Sequence, residues 1–345
     1  MGPVPGYDVP AVEAWVAANT PLAPPFKWTR LTGGHSNLTW RIDDASGRRS
    51  VVRRPPLGEL LPKAHDMGRE WAVISAIAPS SVPVPEAIGF CEDVSVTGAQ
   101  FYVMGWVEGR PLHSAVDTEA FVPEGDRRRL GFSFVDVLAD LHAIDPDAVG
   151  LGQLGKRDSY VGRQLSTWHK SWTASAGPAE LDDPRAHRLQ QRLAQSLPVQ
   201  EPARIVHGDY GLHNCLARQG AVAAVLDWEI STLGDPLADL AYALNRFPDS
   251  ADGAAVDPAS ATAPPGFPSR AELADRYAER SGRDLANLAY YRAFNHWKSA
   301  CILQGVYARY REGKKSHEGI DLAQMAGQIS TQLSAAEAAA ARAGV

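Results

Sequence analysis

Two short apolar, β-branched runs constrain this chain most. Ile205-Val206 leads directly into the polar stretch HGDYGLHN, and VAAVL, residues 222–226, ends in Asp227-Trp228-Glu229. A buried strand that hands over to polar residues at its end is a device for delivering side chains to a cleft. Asp209 and Asn214 sit five apart on one loop, and Asp227 closes the second run. Antiparallel pairing of the two runs would gather a carboxylate, an amide and a second carboxylate. Hard oxygen ligands of this kind suit Mg²⁺, which keeps several waters and shares its coordination with substrate phosphates. The remaining carboxylate can accept a proton from an attacking hydroxyl.

Upstream of this segment the pattern is that of a small mixed lobe. Residues 10–19 predict a short helix, broken by Pro21, Pro24 and Pro25. FKWTRL, LTWRID and RRSVVRR read as strands of an antiparallel meander, separated by Gly33-Gly34 and by Asp43 to Gly47. Leu61 to Ala78 has helical spacing, and VPVPEAIGFCED and AQFYVMGWVEG supply two further strands. The expectation is an α+β fold of two lobes: an N-lobe, 1–106, with an antiparallel sheet plus one long helix, and a large, mostly helical C-lobe, 107–345. In the latter, 119–143 predicts one helix and 158–197 further ones. Pro248 to Ser269 reads as an exposed loop, and the tail EAAAARAGV as a frayed helix end.

Composition excludes some classes. With 34 Lys plus Arg against 40 Asp plus Glu, a net charge of −6 and no basic block, neither nucleic acid nor an anionic membrane is an expected partner. The three cysteines, Cys91, Cys215 and Cys301, are far apart, so neither a disulfide framework nor a zinc site is expected, and a reducing cytoplasm fits. The N-terminus lacks a basic, then apolar, leader, and Gly6 stands where myristoylation needs Ser or Thr. No run reaches the ~20 apolar residues that span a bilayer.

The order His207-Gly208-Asp209, Asn214, Leu226-Asp227-Trp228-Glu229, then Gly234-Asp235-Pro236 with Asp239, resembles the aminoglycoside phosphotransferase family of small-molecule kinases. GGHSNLTW, LLPKAH, FYVMGWVEGRPL and ILQGVYARY most resemble the members associated with acyl-CoA dehydrogenases. The resemblance, over roughly residues 26–311, implies the two-lobed protein-kinase-like fold, ATP and Mg²⁺ as cofactors, and phosphoryl transfer to a small-molecule hydroxyl acceptor. It implies Asp209 as catalytic base or hydroxyl-orienting group, and Asn214 and Asp227 as metal ligands. It places a nucleotide loop at Gly33, Gly34, His35, Ser36 and Asn37, a phosphate clamp at Arg53 with Glu70 as its partner, and an adenine-facing hinge at Met104, Trp106 and Val107. Asp235 and Asp239 would brace the catalytic loop. The chain departs from the usual kinase pattern in carrying Arg53 or Arg54 where a third-strand lysine is expected. It also has Gly211 and His213 where many members carry Arg and Asp.

On the acceptor side, His213 is a candidate contact. Arg292, Asn295 and Lys298 fall about one turn apart on a helix, which is either a solvated face or a wall for an anionic acceptor such as a hydroxyacyl-CoA. An antibiotic kinase acting on an aminoglycoside or macrolide is an alternative, although a polycationic acceptor calls for an acidic wall rather than Arg292, Lys298 and Arg309. A nucleotide-binding pseudokinase without turnover is a second alternative. A hydrolytic centre at His207 and His213 lacks the H-E-x-x-H or H-x-H spacing such centres use. Functional association with an acyl-CoA dehydrogenase is the expected protein partnership.

Overall fold

The computed structural model describes residues 4–31, 37–58, 65–247, 249, 257–314 and 321–345. The nucleotide-loop candidates Gly33, Gly34, His35 and Ser36 lie outside the described residues, as do 59–64 at the start of the expected Leu61 to Ala78 helix.

The N-terminal half alternates as its sequence predicts. Strands β1 (Lys27–Arg30), β2 (Leu38–Asp43), β3 (Arg49–Arg54), β4 (Ala87–Cys91) and β5 (Phe101–Gly105) form one antiparallel sheet in the order β1-β2-β3-β5-β4. Because side chains alternate along a strand, each face has its own role. Trp28, Ile42, Val52, Phe101 and Val103 form an outer core together with Val12 and Val16 of helix α1 (Val9–Asn19). The opposite face, with Val51, Tyr102 and Met104, joins Met67, Val73, Ile74 and Ile77 of α2 (Met67–Ile77) in the larger core, which runs on into the helical half. Asp66 caps α2, accepting from Arg69 N at 3.0 Å.

The helical half comprises α3 (Ala115–Phe121), α4 (Glu124–Ala143), α5 (Tyr160–Ala179), α6 (Pro184–Gln195), α7 (Pro236–Leu244), α8 (Arg270–Ser281), α9 (Leu288–Arg311) and α10 (Leu322–Arg342). The single helix expected over 119–143 is two, because Pro123, which has no N–H to continue α3, stands as the N-cap of α4. The strand pairing also differs from expectation. The Ile205-Val206 run, β6 (Arg204–Val206), pairs with β9 (Thr232–Gly234), while the second run, β8 (Ala221–Val225), pairs with β7 (Cys215–Arg218). Gln219 and Gly220, both at positive φ, make the tight β7–β8 turn, so this local hairpin claims β8 as partner.

The tail is not a frayed end. Ile329, Leu333, Ala336 and Ala340 recur three and four apart and are buried in α10, and the alanines let α10 lie close to α9. The loop expected to be exposed after Pro248 is also partly inside: Ala261 and Thr262 are buried, and Arg246 O accepts from Thr262 Oγ1. Among the described residues no helix is long and apolar enough to cross a membrane.

Candidate active site

The two hairpins still converge on one place. In β7–β8, Cys215 faces Val225, and Leu226 N donates to Asn214 O at 2.8 Å, which sets Asn214 beside the chain that carries Asp227. The HGD loop is fixed from beneath. The buried Asp239 of α7 accepts from His207 N at 2.7 Å and Gly208 N at 2.9 Å, and lies 3.4 Å from His142 Nε2. Burial alone would raise Asp239, but the hydrogen bond and charge of His142 and the His207 N–H hold it below the usual carboxylate range. The His207 ring is 2.9 Å from Leu226 O and packs on Trp228 with centroids 4.8 Å apart, so it ties the two halves of the site together. Asp235 caps α7 and accepts from Tyr291 OH at 2.6 Å. Gly208, at φ +86°, turns the chain where a side chain would be strained.

Asp209 stands on this platform with donors on both oxygens. His213 Nε2 lies 3.2 Å and Asn214 Nδ2 3.1 Å from Oδ2, while Oδ1 accepts from Tyr242 OH and lies 3.6 Å from Arg246 Nη2. Burial raises its affinity for a proton, yet the donors from His213 and Tyr242 and the Arg246 charge outweigh it, so Asp209 is ionised well below the usual carboxylate range. His213 and Arg246 also line a cavity of about 500 Å³ whose other walls include His113, Phe134, Ser260 and His296.

The nucleotide-side candidates gather around Arg53. Its Nε lies 3.2 Å from Glu70 Oε2 and its Nη2 3.2 Å from Asp227 Oδ1. Tyr102 OH donates to Glu70 at 2.8 Å, and Asn37, with its amide oxygen turned to Arg53, accepts from Nη2 at 2.7 Å. The neighbouring Arg54 points to the other face of the sheet. It donates to Thr97 O at 2.6 Å and to Gly6 O, and covers the Tyr7 ring. Burial, followed by the charges of Asp227 and Glu229, pushes Glu70 up to about 7 against the pull of Arg53. Asp227 holds φ +64°, a left-handed conformation rare outside glycine.

Carboxylate oxygens of Glu70, Asp227 and Glu229 all lie within 4.8 Å of one another, and Glu229 Oε2 is buried without a hydrogen bond, 3.2 Å from His65 Nδ1. Hard oxygens crowded around one guanidinium fit a divalent cation such as Mg²⁺. Asn214 spends its NH₂ on Asp209, and its side-chain oxygen makes no hydrogen bond among the described residues. At the expected hinge, Met104 is buried in the core, the guanidinium groups of Arg41 and Arg49 lie over the Trp106 ring at 5.6 Å and 5.8 Å from its centroid, and the backbone of Val107 has no hydrogen-bond partner among the described residues.

The helix candidates behave differently. Arg292, Asn295 and Lys298 are buried, which removes the solvated-face reading, and none lines the 500 Å³ cavity. Arg292 Nε donates to Asn245 Oδ1 at 2.9 Å, and Asn295 donates to Ala238 O at 2.7 Å and to Tyr291 O at 3.0 Å. Burial lowers Lys298, opposed by the charges of Asp239 and Asp209. The residues that the sequence did not single out are Tyr242 and Arg246, and Glu229 enters its reading only as part of the DWE motif, with no role of its own. Asp239 and Tyr242 stand three apart on the otherwise apolar α7 and Arg246, just past its end, continues the i, i+3, i+7 spacing, which was the available signal.

Comparison with known proteins gives the family and the fold. Residues 27–291 match the sequence profile of APH, the phosphotransferase enzyme family. Acyl-CoA dehydrogenase family member 11 of Gallus gallus is 37% identical over 300 residues, a match covering 84% of this chain and 37% of the relative. The chain thus spans little more than a third of that protein. A crystal structure from Ralstonia eutropha, assigned by its describers to the aminoglycoside phosphotransferases, superimposes with a TM-score of 0.80 at 30% identity and covers 96% of this chain and 98% of that one. The ADP-bound aminoglycoside phosphotransferase APH(2'')-Ib shares the fold alone, with a TM-score of 0.59 at 13% identity and coverage of 95% and 99%.

Proposed function

Because the chain belongs to the APH phosphotransferase enzyme family and has its two-lobed, kinase-like α+β fold, we propose that it is an ATP- and Mg²⁺-dependent kinase that phosphorylates a hydroxyl of a small molecule. The observation that carries this reading is the ionised Asp209, held by the cavity-lining His213 and Arg246 and by Asn214, whose backbone oxygen accepts from Leu226 N next to Asp227 of the Glu70, Asp227 and Glu229 cluster. Phosphoryl transfer asks little covalent chemistry of a protein, so positioning and charge carry it. Asp209 orients the acceptor hydroxyl and takes its proton. Arg53, fixed by Glu70 and Asn37, binds nucleotide phosphate oxygens, and the Val107 backbone meets the adenine edge. Asp227, Glu229 and Asn214 would hold Mg²⁺, which neutralises phosphate charge when bound. We set the boundary between the N-lobe, 1–106, and the C-lobe, 107–345, just past the end of β5, at the proposed hinge.

The favoured acceptor is anionic, a hydroxyacyl-CoA or a related metabolite. Among the described residues the cavity wall supports this with Arg246, Arg270 and three histidines against one lining carboxylate, Asp257, with Arg270 paired to Asp249 at 3.1 Å. The same wall argues against a polycationic aminoglycoside. Likeness to acyl-CoA dehydrogenase family member 11 supports functional association with such an enzyme, and three unpaired, buried cysteines are compatible with the cytoplasm. The test is to incubate the chain with Mg²⁺, ATP and a mixed pool of hydroxylated metabolites, hydroxyacyl-CoAs and antibiotics included. Mass spectrometry should find one product heavier by a phosphoryl group and absent with Asp209→Asn. ATP binding with no product from the pool would favour the pseudokinase reading.

A further inference from the structure

Arg246 is placed where a reacting phosphoryl group needs a cation from the acceptor side. It lies just past the C-terminal end of α7, and its backbone oxygen is held by Ser260 Oγ at 3.3 Å and by Thr262 Oγ1. Its guanidinium covers the Tyr242 ring with 4.9 Å from Cζ to the centroid, and Nη2 donates to Tyr242 OH at 2.5 Å. That hydroxyl in turn donates to Asp209 Oδ1. At 3.6 Å from the carboxylate, Nη2 is near enough for charge attraction but too far for a direct hydrogen bond. Nε and Nη1 make no hydrogen bond among the described residues, the side chain keeps 41% of its exposure, and the residue lines the cavity. A guanidinium anchored through one nitrogen, with its remaining donors open to the cavity, can receive further oxygens.

The catalytic loop is bare at the matching position. A Cβ added at Gly211 would come within 3.2 Å of Arg246 Nε and 2.4 Å of the His213 ring. That space is taken by the His213 ring and bordered by Arg246, so the residue just past α7 rather than position 211 of the loop supplies the positive charge beside Asp209.

We propose that Arg246 is a catalytic residue that binds the equatorial oxygens of the phosphoryl group during transfer, opposite Arg53. The inference rests on the kinase reading above. In the step, a bond forms between the acceptor oxygen and phosphorus, the bond from phosphorus to the nucleoside diphosphate oxygen breaks, and the hydroxyl proton passes to Asp209. Arg246 makes and breaks no covalent bond. It offsets charge that accumulates on the transferring group, the role for which arginine's planar donor fork is suited.

The test needs no identified acceptor. The full chain is titrated with ADP and Mg²⁺, with and without aluminium fluoride as the phosphoryl mimic, in the wild type, Arg246→Met, Arg246→Lys and Tyr242→Phe. Arg246→Met keeps the apolar stem on Tyr242 and removes the charge. We expect ADP affinity within about twofold of wild type but a loss of the fluoride-dependent gain by about 10²-fold, partly recovered in Arg246→Lys and on adding ethylguanidinium to Arg246→Met. Tyr242→Phe, which keeps the cation, should retain more of the gain than Arg246→Met. If Arg246→Met keeps the full gain, or if Tyr242→Phe loses as much and ethylguanidinium restores nothing, Arg246 only props Asp209 and the proposal is overturned. A wild type that gains no affinity from aluminium fluoride overturns the kinase reading itself.

Discussion

The two sides of the cleft solve opposite electrostatic problems. On the proposed nucleotide side, three carboxylates, Glu70, Asp227 and Glu229, crowd one guanidinium, Arg53. On the acceptor side, four side chains, His213, Asn214, Tyr242 and Arg246, crowd one carboxylate. The consequences differ in sign: Glu70 is pushed up to about 7, whereas Asp209 is held well below the usual carboxylate range. Burial raises both, but the Glu70 side chain is fully buried while that of Asp209 keeps 36% of its exposure, so exposure and partners act in the same direction. The surplus of negative charge around Arg53 is relieved by adding a cation, and the surplus of donors around Asp209 favours an ionised base and an anionic neighbour. On the proposed reading, the polarity of phosphoryl transfer would be set by these side chains before substrate binds.

The largest effect expected from this contrast is at Asp209. Asp209→Asn keeps the size of the side chain and its Tyr242 neighbour but removes the charge and the proton acceptor. Turnover should fall ~10²–10⁴-fold, while ADP affinity stays near the wild-type value. Steady-state kinetics beside nucleotide titration checks this, and unchanged turnover would place the base elsewhere.

The nucleotide side is tested by coupling. Arg53→Ala and Glu70→Ala should each weaken nucleotide use, and the double variant should be little worse than the poorer single one, with a coupling of ~0.5–3 kcal/mol. Arg54→Ala, on the other face of β3, should leave the Michaelis constant for ATP alone. If Arg54→Ala proves the damaging change, the assignment of faces is wrong. Asp227→Ala should reduce affinity for Mg²⁺·ATP more than for metal-free ATP, and calorimetry showing equal losses would make Asp227 structural.

How much of this was legible follows from the physics of each element. Strand parity is strict, so the neighbours Arg53 and Arg54 had to face opposite ways, and the five sheet strands announced themselves by alternation and turn residues. The HGD and DWE clusters were legible because each directly follows a β-branched run. The partner of each run was not, since β6 and β8 offer similar apolar surfaces and the Gln219-Gly220 turn decides between them. Arg292, Asn295 and Lys298 were read by polarity, yet backbone carbonyls and side-chain amides of other elements can satisfy polar groups inside a fold. Tyr242 and Arg246 were hidden because their meaning arises only when α7 packs under a loop more than 30 residues earlier in the chain, a separation that the Tyr242–Asp209 bond spans as 33 positions.

Beneath both sides lies Asp239, which binds protein donors only and so sharpens the contrast. Asp239→Asn loses charge-assisted bonds to His207 N and Gly208 N and should cost ~1–3 kcal/mol at neutral pH. Its folded-state affinity for protons lies below the unfolded value, so its stabilisation is present above the ordinary carboxylate pKa of ~3.9 and is lost as pH falls through and beneath it. Denaturant unfolding across pH 3 to 7, about that value, should give a flatter acid limb for Asp239→Asn. An acid limb equal to the wild type's would mean that other carboxylates set it.

The smallest effect separates these buried pairs from the same chemistry in water. Arg276 of α8 holds Asp136 of α4 through two bonds, at 2.8 Å and 2.9 Å, with a geometry as good as any in the cleft. Its side chain, however, is 45% exposed. Water and salt screen such a pair, and holding a long side chain in one rotamer offsets part of the attraction. Arg276→Ala should therefore cost no more than ~1 kcal/mol in urea unfolding, and the cost should shrink further in high salt. Turnover should not change, because neither Arg276 nor Asp136 lines the cavity or bonds to Asp209. A loss as large as that of Asp239→Asn would mean that the α4–α8 seam, rather than burial of charge beneath the catalytic loop, governs the stability of the helical lobe.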